Sequence, residues 1–219
     1  RPWRRDHRRL EDAVAARVRE ALDASGGAVL AFLPGVGEIS RTARALEGRL
    51  PAGVELRPIH GAMPLAAQRA ALAPAAAGRR KVVLATAIAE TSLTVEGVTA
   101  VVDAGLARRA RFDPGSGMTR LVTEPASRAE AAQRRGRAGR LGPGLYLPLW
   151  TRGEAGALPE RPPAEILTAD LAPLALELAV WGAAPGDLAF LDAPPEAALA
   201  EATALLRGLE ALDRSEEHT

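Results

Sequence analysis

AVLAFL, residues 28–33, is an uninterrupted apolar run between the glycine pair at 26–27 and Pro34. A short apolar run bounded by turn residues is typical of a strand that is buried on both faces. Apolar residues precede it at four-residue spacing, at Leu10, Val14, Val18 and Leu22. That spacing predicts a helix with one apolar stripe that stops at the glycine pair. A helix leading into a doubly buried strand indicates an α/β fold.

The same alternation continues to about residue 150. The pattern predicts helices near residues 37–50 and 64–72, and strands at 54–59, 81–86, 98–103 and 144–149. Strands that alternate with helices imply βαβ crossovers and a parallel sheet with helices on both faces. One insertion, residues 108–125, breaks the rhythm with two extended segments around the turn sequence PGSG at 114–117. We predict a β-hairpin there that projects from the edge of the sheet.

The sequence changes character after Trp150. A helical pattern follows, with Asp170 as a possible N-cap and Gly182 as its end, and a second helix is expected within residues 195–212. Trp150 and Trp181 are expected to be core residues. We therefore predict a first domain at residues 1–155 and a small helical region at 160–213.

The composition excludes several kinds of protein. Aromatic residues make up 3% of the chain, which leaves little for stacking on nucleic-acid bases. There are no cysteines, and the three histidines are far apart, so we expect neither disulfides nor a metal site. No apolar run is long enough to cross a bilayer, and a cytoplasmic location is expected. The chain starts without a methionine, which suggests a fragment of a longer protein.

The sequence QRRGRAGR, residues 133–140, holds four arginines. Arg134, Arg137 and Arg140 are spaced by three, so on a helix they would share a face. No acidic residue occurs from 131 to 141 to relieve their repulsion. Guanidinium groups bind phosphate in a bidentate manner, which favours a phosphate-binding segment over a solvated basic helix face.

Loops at the carboxyl ends of parallel strands are the other candidates, because ligands bind there in open α/β sheets. FLPGVGEI at 32–39 could contact an anion or be an ordinary turn. ATAIAETSLT at 85–94 is rich in hydroxyls, which suit phosphate or ribose but also cap helices. His60 is interpreted as a turn or packing residue.

Together, FLPGVGEI, KVVLATAIAETSLTVEGV and QRRGRAGR resemble motifs IV, V and VI of the DEAH-box helicases of superfamily 2. The continuations VVDAGLARRARFDPGSGMTRLVTEPAS and EILTADLAPLALELAVWG look most like the bacterial HrpB subgroup. The resemblance implies a second RecA-like lobe followed by a truncated, degenerate winged-helix region. The phosphate-binding loop and the DEAH carboxylates of the first lobe do not occur in this sequence.

The resemblance also implies roles for single residues around ATP and Mg²⁺, with the metal held mainly by the first lobe. Arg137 and Arg140 would be arginine fingers at the γ-phosphate, and Gln133 would position the attacking water or the γ-phosphate. Thr94, Glu96 and Gly136 would approach the nucleotide.

Other residues are implied to touch RNA, with DNA not excluded. Gly61, Thr86 and Ala87 would contact the nucleic-acid backbone. The family commonly has asparagine at the position of Ala87, so this residue is not expected to make the side-chain hydrogen bond to the nucleic-acid backbone that the asparagine would make.

Two alternatives stay open at this point. The first is a non-catalytic nucleic-acid-binding module that keeps the fold and the basic segment without ATP chemistry. The second is a flavodoxin-like or receiver domain. That domain would show acidic residues at the strand ends, whereas the first, second and third strands predicted in this chain end in Pro34, His60 and Thr86.

Overall fold

The structure is a computed structural model that describes residues 9–90, 95–140 and 142–212. Its helices are α1 (Leu10–Ala24), α2 (Val36–Leu46), α3 (Leu65–Leu72), α4 (Arg128–Gly136), α5 (Arg152–Ala157), α6 (Ala172–Trp181) and α7 (Glu196–Gly208). Its strands are β1 (Ala28–Phe32), β2 (Val54–Ile59), β3 (Arg80–Ala85), β4 (Val98–Asp103), β5 (Leu106–Asp113), β6 (Met118–Pro125) and β7 (Leu145–Pro148). Short 3-10 turns lie at Ala87–Ala89, Glu165–Leu167 and Pro185–Asp187. None of the helices in these described ranges is both long and apolar enough to cross a membrane.

Five strands form one sheet in the order β2-β3-β1-β4-β7, and every neighbouring pair is parallel. The central strand β1 is the apolar run from which the fold was predicted, and all five of its residues are buried. The strands β2 and β4 have the bounds that the sequence predicted, and the others differ by a residue or so. The parallel α/β sheet is therefore confirmed, and its carboxyl ends share one edge.

Alternate residues of β1 enter two separate apolar cores. Val29 and Ala31 pack with α1 and α2 on one face of the sheet. Leu30 and Phe32 pack on the other face, where α3 contributes Ala71 and the segment after α4 contributes Ala138. Helices thus cover both faces, as a sheet of doubly buried parallel strands requires. The apolar groups of the first core include Val14 and Val18, so the predicted stripe of α1 is its buried face.

Helix α2 ends earlier than predicted, at Leu46 instead of near residue 50. Glu47 leaves the helical conformation with ψ 130, and Gly48 follows with φ +67. A left-handed glycine just after a helix is a usual way to end it.

The hairpin predicted around residues 114–117 is present as a separate two-stranded sheet of β5 and β6. The carboxylate of Asp113 accepts hydrogen bonds from the Gly115 N–H and the Ser116 hydroxyl, which closes the turn. Gly117 has φ +63, a conformation that favours glycine. The residues of the PGSG sequence therefore form the turn of the hairpin, as predicted.

The contacts divide the chain into two compact units. The first consists of the described residues up to 108 together with 123–162, and the second of 109–122 and the described residues from 163 onward. The sequence placed the domain boundary between 155 and 160 and kept the hairpin in the first domain. By contacts, the outer part of the hairpin groups with the second unit, where the Phe112 N–H donates to the Thr168 carbonyl.

The second unit is helical, and α6 packs on α7 through Leu171, Ala175, Ala202 and Leu206. Helix α6 ends at Gly182, which has φ +64, as predicted. Its N-cap is Leu171, although the Asp170 carboxylate accepts from the Ala172 N–H. Between residues 149 and 212 the structure describes no strand, so the winged-helix assignment is not confirmed.

The prediction for Trp181 is wrong, because 67% of this residue is exposed. Helix α6 is apolar apart from Glu177, yet only the side with Ala175 and Leu178 is buried. Trp150 is half-buried, with its ring edge-to-face to Tyr146 at 6.1 Å.

Candidate functional site

The carboxyl edge of the sheet brings together the loop after β2, the loop after β3 and the arginine segment. The Thr86 N–H donates to the Ile59 carbonyl at 3.3 Å, which joins the loops after β2 and β3. Gly61 faces the end of the Ile88 side chain on the 3-10 turn that follows Thr86. The guanidinium of Arg137 donates to the Glu90 carbonyl at the end of the same turn. Gly61, Thr86, Ala87 and Arg137 are therefore neighbours in the fold.

Helix α4 carries the arginine segment to this edge. It begins at Ser127, whose hydroxyl accepts from the Glu130 N–H at 3.2 Å, while the Glu130 carboxylate accepts from the Ser127 N–H at 2.6 Å. The N–H groups of Arg128 and Ala129 donate to carbonyls at 159 and 160. Nearly all donors of the first turn thus have partners, and the direction of the helix is fixed.

The shared arginine face predicted from the sequence is wrong. Helix α4 ends at Gly136, Arg137 is its C-cap, and Arg140 lies in a bend beyond the helix. Arg134 is only 2% exposed, whereas Arg140 is exposed. Glycines at 136 and 139 disfavour a longer helix, and α4 has only nine residues. The spacing of three therefore does not place the three arginine side chains on one helix face.

Arg134 is fully engaged inside the protein. Its Nε donates to a Glu90 carboxylate oxygen at 2.7 Å, and one terminal nitrogen donates to an Asp103 carboxylate oxygen at 2.8 Å. Its guanidinium also lies 5.3 Å from the centre of the Phe32 ring. Burial acts to lower the pKa of Arg134, but Asp103 and Glu90 together raise that pKa above its usual value. This arginine is a structural cation and is not available to a phosphate.

Asp103 ends β4 and is completely buried. One of its oxygens accepts from the Gly105 N–H at 2.8 Å, and the other accepts from the Tyr146 hydroxyl at 2.8 Å. Burial and the nearby Asp103 carboxylate raise the pKa of Tyr146. Asp103 is thus an acidic strand end, of the kind that a receiver domain was expected to show, but its carboxylate is occupied by internal partners.

Arg137 is also buried, with 7% of the residue exposed. Burial, and then the positive charge of Arg140, lower the pKa of Arg137. Gln133 is exposed on α4, and Gly136 is exposed at its end with open space where a side chain would be. The structure thus places one anchored and one exposed arginine at the carboxyl edge, with Gln133 and Gly136 on the helix that leads to them.

Charged side chains of the protein itself occupy the space around the loop FLPGVGEI. A Glu38 oxygen accepts from Arg41 at 2.9 Å and lies 3.5 Å from an Arg108 nitrogen. A side chain at Gly35 would meet the Arg108 guanidinium at 2.7 Å. Of the two interpretations of this loop, a turn closed by ion pairs fits the geometry.

The structure separates Glu96 from the other predicted residues. Glu96 is exposed before β4, beside Arg79 and Lys81, which lie at the amino-terminal edge of the sheet. Six residues of strand β4 span roughly 20 Å, so the carboxyl edge is out of reach. The geometry therefore does not support one nucleotide contacting both Glu96 and Arg137. Thr94 lies outside the described residues.

Sequence reasoning missed Glu90 and Asp103. They lie 44 and 31 residues before Arg134 in the chain, so a search for acidic residues close to the arginines does not find them. Glu90 follows the buried strand β3 and Asp103 is the last residue of β4, so an acidic residue at the carboxyl end of a strand was the available signal. His60, interpreted as a packing residue, is half-buried, and its Nδ1 is buried without a hydrogen-bond partner.

Comparison with known proteins agrees with this geometry. Residues 12–142 match the model of the helicase conserved C-terminal domain. The chain is 48% identical to the ATP-dependent RNA helicase HrpB of Escherichia coli (strain K12), over 94% of this chain and 26% of that protein. It is 38% identical to the pre-mRNA-splicing factor ATP-dependent RNA helicase prp22 of Schizosaccharomyces pombe, over 93% of this chain and 18% of that protein.

A solved structure has the same fold. The crystal structure of the E. coli DExH-box NTPase HrpB matches with a TM-score of 0.89 and 48% identity, over 95% of this chain and 26% of that one. This likeness confirms the RecA-like sheet. The chain spans about a quarter or less of the length of these two curated relatives. The chain belongs to the helicase conserved C-terminal domain family, as a C-terminal lobe of the DEAH-box, HrpB type.

Proposed function

We propose that this chain is the second RecA-like lobe of an ATP-dependent RNA helicase and couples ATP hydrolysis to movement on, or unwinding of, RNA. It would act with a first RecA-like lobe of the same protein, in the cytoplasm. The observation that carries the proposal is Arg137, which is buried at the carboxyl edge and anchored to the Glu90 carbonyl. A guanidinium held in place at such an edge is suited to meet a phosphate that another domain presents.

The chemistry proposed for this lobe is stabilisation of charge. ATP supplies the phosphoanhydride bond that is broken. Arg137 and Arg140 would stabilise the negative charge that develops on the γ-phosphoryl oxygens, where such an arginine is worth roughly 10³ to 10⁵ in rate. Gln133, exposed on the helix that leads to them, would orient the attacking water or the γ-phosphate. Gly136 and Thr94 are assigned to the nucleotide by the family resemblance.

Mg²⁺ belongs to the same proposal, held mainly by the first lobe. Within the described residues, no group of three or more histidine, aspartate or glutamate side chains could hold a metal ion. The groups that this lobe offers are cations, which suit the phosphate oxygens.

RNA would lie against the loops after β2 and β3. Gly61 and Ala87 are exposed and Thr86 is partly exposed, all at the edge that carries Arg137. Backbone groups and the Thr86 hydroxyl can donate to nucleic-acid phosphates, which position a strand without reading its sequence. Ala87 has no polar side-chain atom, so the contact at this position can come only from its main chain.

The test is RNA-stimulated ATPase activity in a protein that carries both lobes. Arg137→Ala and Arg140→Ala should each lower kcat by ~10³-fold or more, since each removes charge stabilisation from the transition state. Arg135→Ala is the matched control, because Arg135 is an exposed arginine of the same segment and should be neutral.

Indifference of kcat to the changes at 137 and 140 would contradict the catalytic proposal. If RNA binding then persisted with a strong dependence on salt and none on ATP, the chain would be a non-catalytic nucleic-acid-binding module.

A further inference from the structure

Glu90 serves two arginines at once, with different atoms. It follows the 3-10 turn at Ala87–Ala89 and is 9% exposed. Its carboxylate accepts from Arg134, with nitrogen–oxygen distances of 2.7 and 2.6 Å to the same oxygen. Its main-chain carbonyl accepts from the Arg137 guanidinium. The position of Glu90 therefore helps to set where Arg137 is held.

Arg134 in turn is held by residues of β1, β4 and β5. It donates to Asp103 at the end of β4 at 2.8 Å and to the Leu106 carbonyl at the start of β5 at 3.3 Å. The ring of Phe32, at the end of β1, lies against the guanidinium. Tyr146 of β7 fixes the other oxygen of Asp103. Through Arg134, the carboxylate of Glu90 is tied to the buried ends of β1 and β4.

We propose that Glu90 and Arg134 are positioning residues that orient Arg137 for phosphoryl transfer. This inference rests on the proposed function, because it gives Arg137 a phosphate to meet. A free arginine side chain samples many rotamers, and an arginine that is already held loses less conformational entropy when it binds a phosphate. Misplacing a catalytic group by about 1 Å can lower a rate by roughly 100-fold.

A contribution to stability does not by itself explain the buried ion pair of Glu90 and Arg134. Replacing buried ion pairs by apolar residues of similar size is often neutral or stabilising, because desolvation offsets the attraction. Burial raises the pKa of Glu90, even though Arg134 acts to lower it, so the charged carboxylate is not in a favourable environment. A charged pair kept at such a place is better explained by the geometry that it imposes on its neighbour.

The first experiment measures steady-state ATP hydrolysis, with RNA, in the protein that carries both lobes. Glu90→Gln and Arg134→Lys should lower kcat by ~10- to 100-fold, with KM for ATP within about twofold, because the transition state depends on the position of Arg137. Glu11→Gln is the matched control. Glu11 is also 9% exposed and paired with an arginine, Arg41, but it lies on α1 and not at the carboxyl edge. It should leave kcat unchanged.

The second experiment combines each change with Arg137→Ala. If Glu90 and Arg134 act by orienting Arg137, then kcat of Glu90→Gln/Arg137→Ala should lie within about twofold of Arg137→Ala alone, since coupled residues are not additive. Full multiplication of the two losses would overturn the inference and show a structural role. Loss of kcat at Arg137 with none at Glu90 or Arg134 would also overturn it. If Arg137→Ala itself has no effect, the proposed function fails instead.

Discussion

Arg134 and Arg135 are adjacent on α4 and carry the same charge, yet their surroundings are opposite. Arg134 is 2% exposed and neutralises two buried carboxylates, while Arg135 is exposed. Removing one partner of a buried ion pair leaves the other charges without compensation, which costs about 3 to 5 kcal/mol. The same change at an exposed site usually costs less than about 0.5 kcal/mol.

Arg134→Ala should therefore lower the free energy of unfolding by about 3 to 5 kcal/mol in the 219-residue chain. Arg135→Ala should change it by no more than about 0.5 kcal/mol. Urea unfolding followed by circular dichroism measures both values. Equal effects of the two variants on the free energy of unfolding would mean that the buried carboxylates of Glu90 and Asp103 do not need the charge of Arg134 for compensation.

These residue-scale features were the hardest to predict. The segment QRRGRAGR singled out Arg137 and Arg140 as candidates, but it also grouped Arg134 with them. The partners of Arg134 come from β4 and from the turn after β3, which only the sheet topology brings together. Long-range ion pairs leave no local pattern in a sequence.

The buried strands were predicted well, because burial on both faces produces an uninterrupted apolar run. Helix α5, which buries no residue, was not predicted. The strand β2 and the hairpin turn also follow from local rules. The end of α2 at Leu46 was not predicted. It depends on the left-handed conformation of a single residue, Gly48, and the apolar pattern of the sequence does not show this conformation. The exposure of Trp181 depends on which side of α6 meets α7. The exposed Glu177, four residues earlier and on the same side of the helix, was the available signal.

The pairing of α1 with α2 leads to a prediction about pH. Burial is the largest single influence on Glu11 and acts to raise its pKa. The hydrogen bond and charge of Arg41, a main-chain hydrogen bond and the charge of Arg9 together outweigh burial, so the net pKa is lowered. A lowered carboxylate pKa stabilises the fold above the pKa of the unfolded chain, about 4.3 for glutamate. This stabilisation is lost as the pH falls through the lower, folded pKa.

Thermal unfolding of the parent chain and of Glu11→Gln measures this effect. The parent should be more stable by up to about 1 kcal/mol near pH 7, as expected for a pair with one exposed partner. The two midpoints should converge as the pH falls below about 4. A difference that is constant from pH 3 to 7 would show that the charge of Glu11 is not the cause.

At the scale of the whole molecule, the chain provides one side of a proposed ATP site. Its cationic groups can stabilise a γ-phosphoryl transition state only if other groups hold the triphosphate and Mg²⁺. The family resemblance assigns both tasks to the first lobe, whose motifs GxxxxGK[ST] and DEAH do not occur in this sequence. Holding ATP and the attacking water in the right geometry accounts for much of the rate of such a reaction, and one lobe cannot do this alone.

The 219-residue chain alone should therefore hydrolyse ATP no faster than a buffer blank, with or without RNA. A protein in which the first lobe precedes it should show RNA-stimulated hydrolysis that depends on Arg137. Phosphate release from both proteins, at equal concentration and with excess Mg²⁺, measures the difference. Arg137→Ala in each protein is the control, since a contaminating ATPase would not respond to it. Turnover by the chain alone that disappears in Arg137→Ala would show that this lobe holds a complete site, and the two-lobe proposal would be wrong.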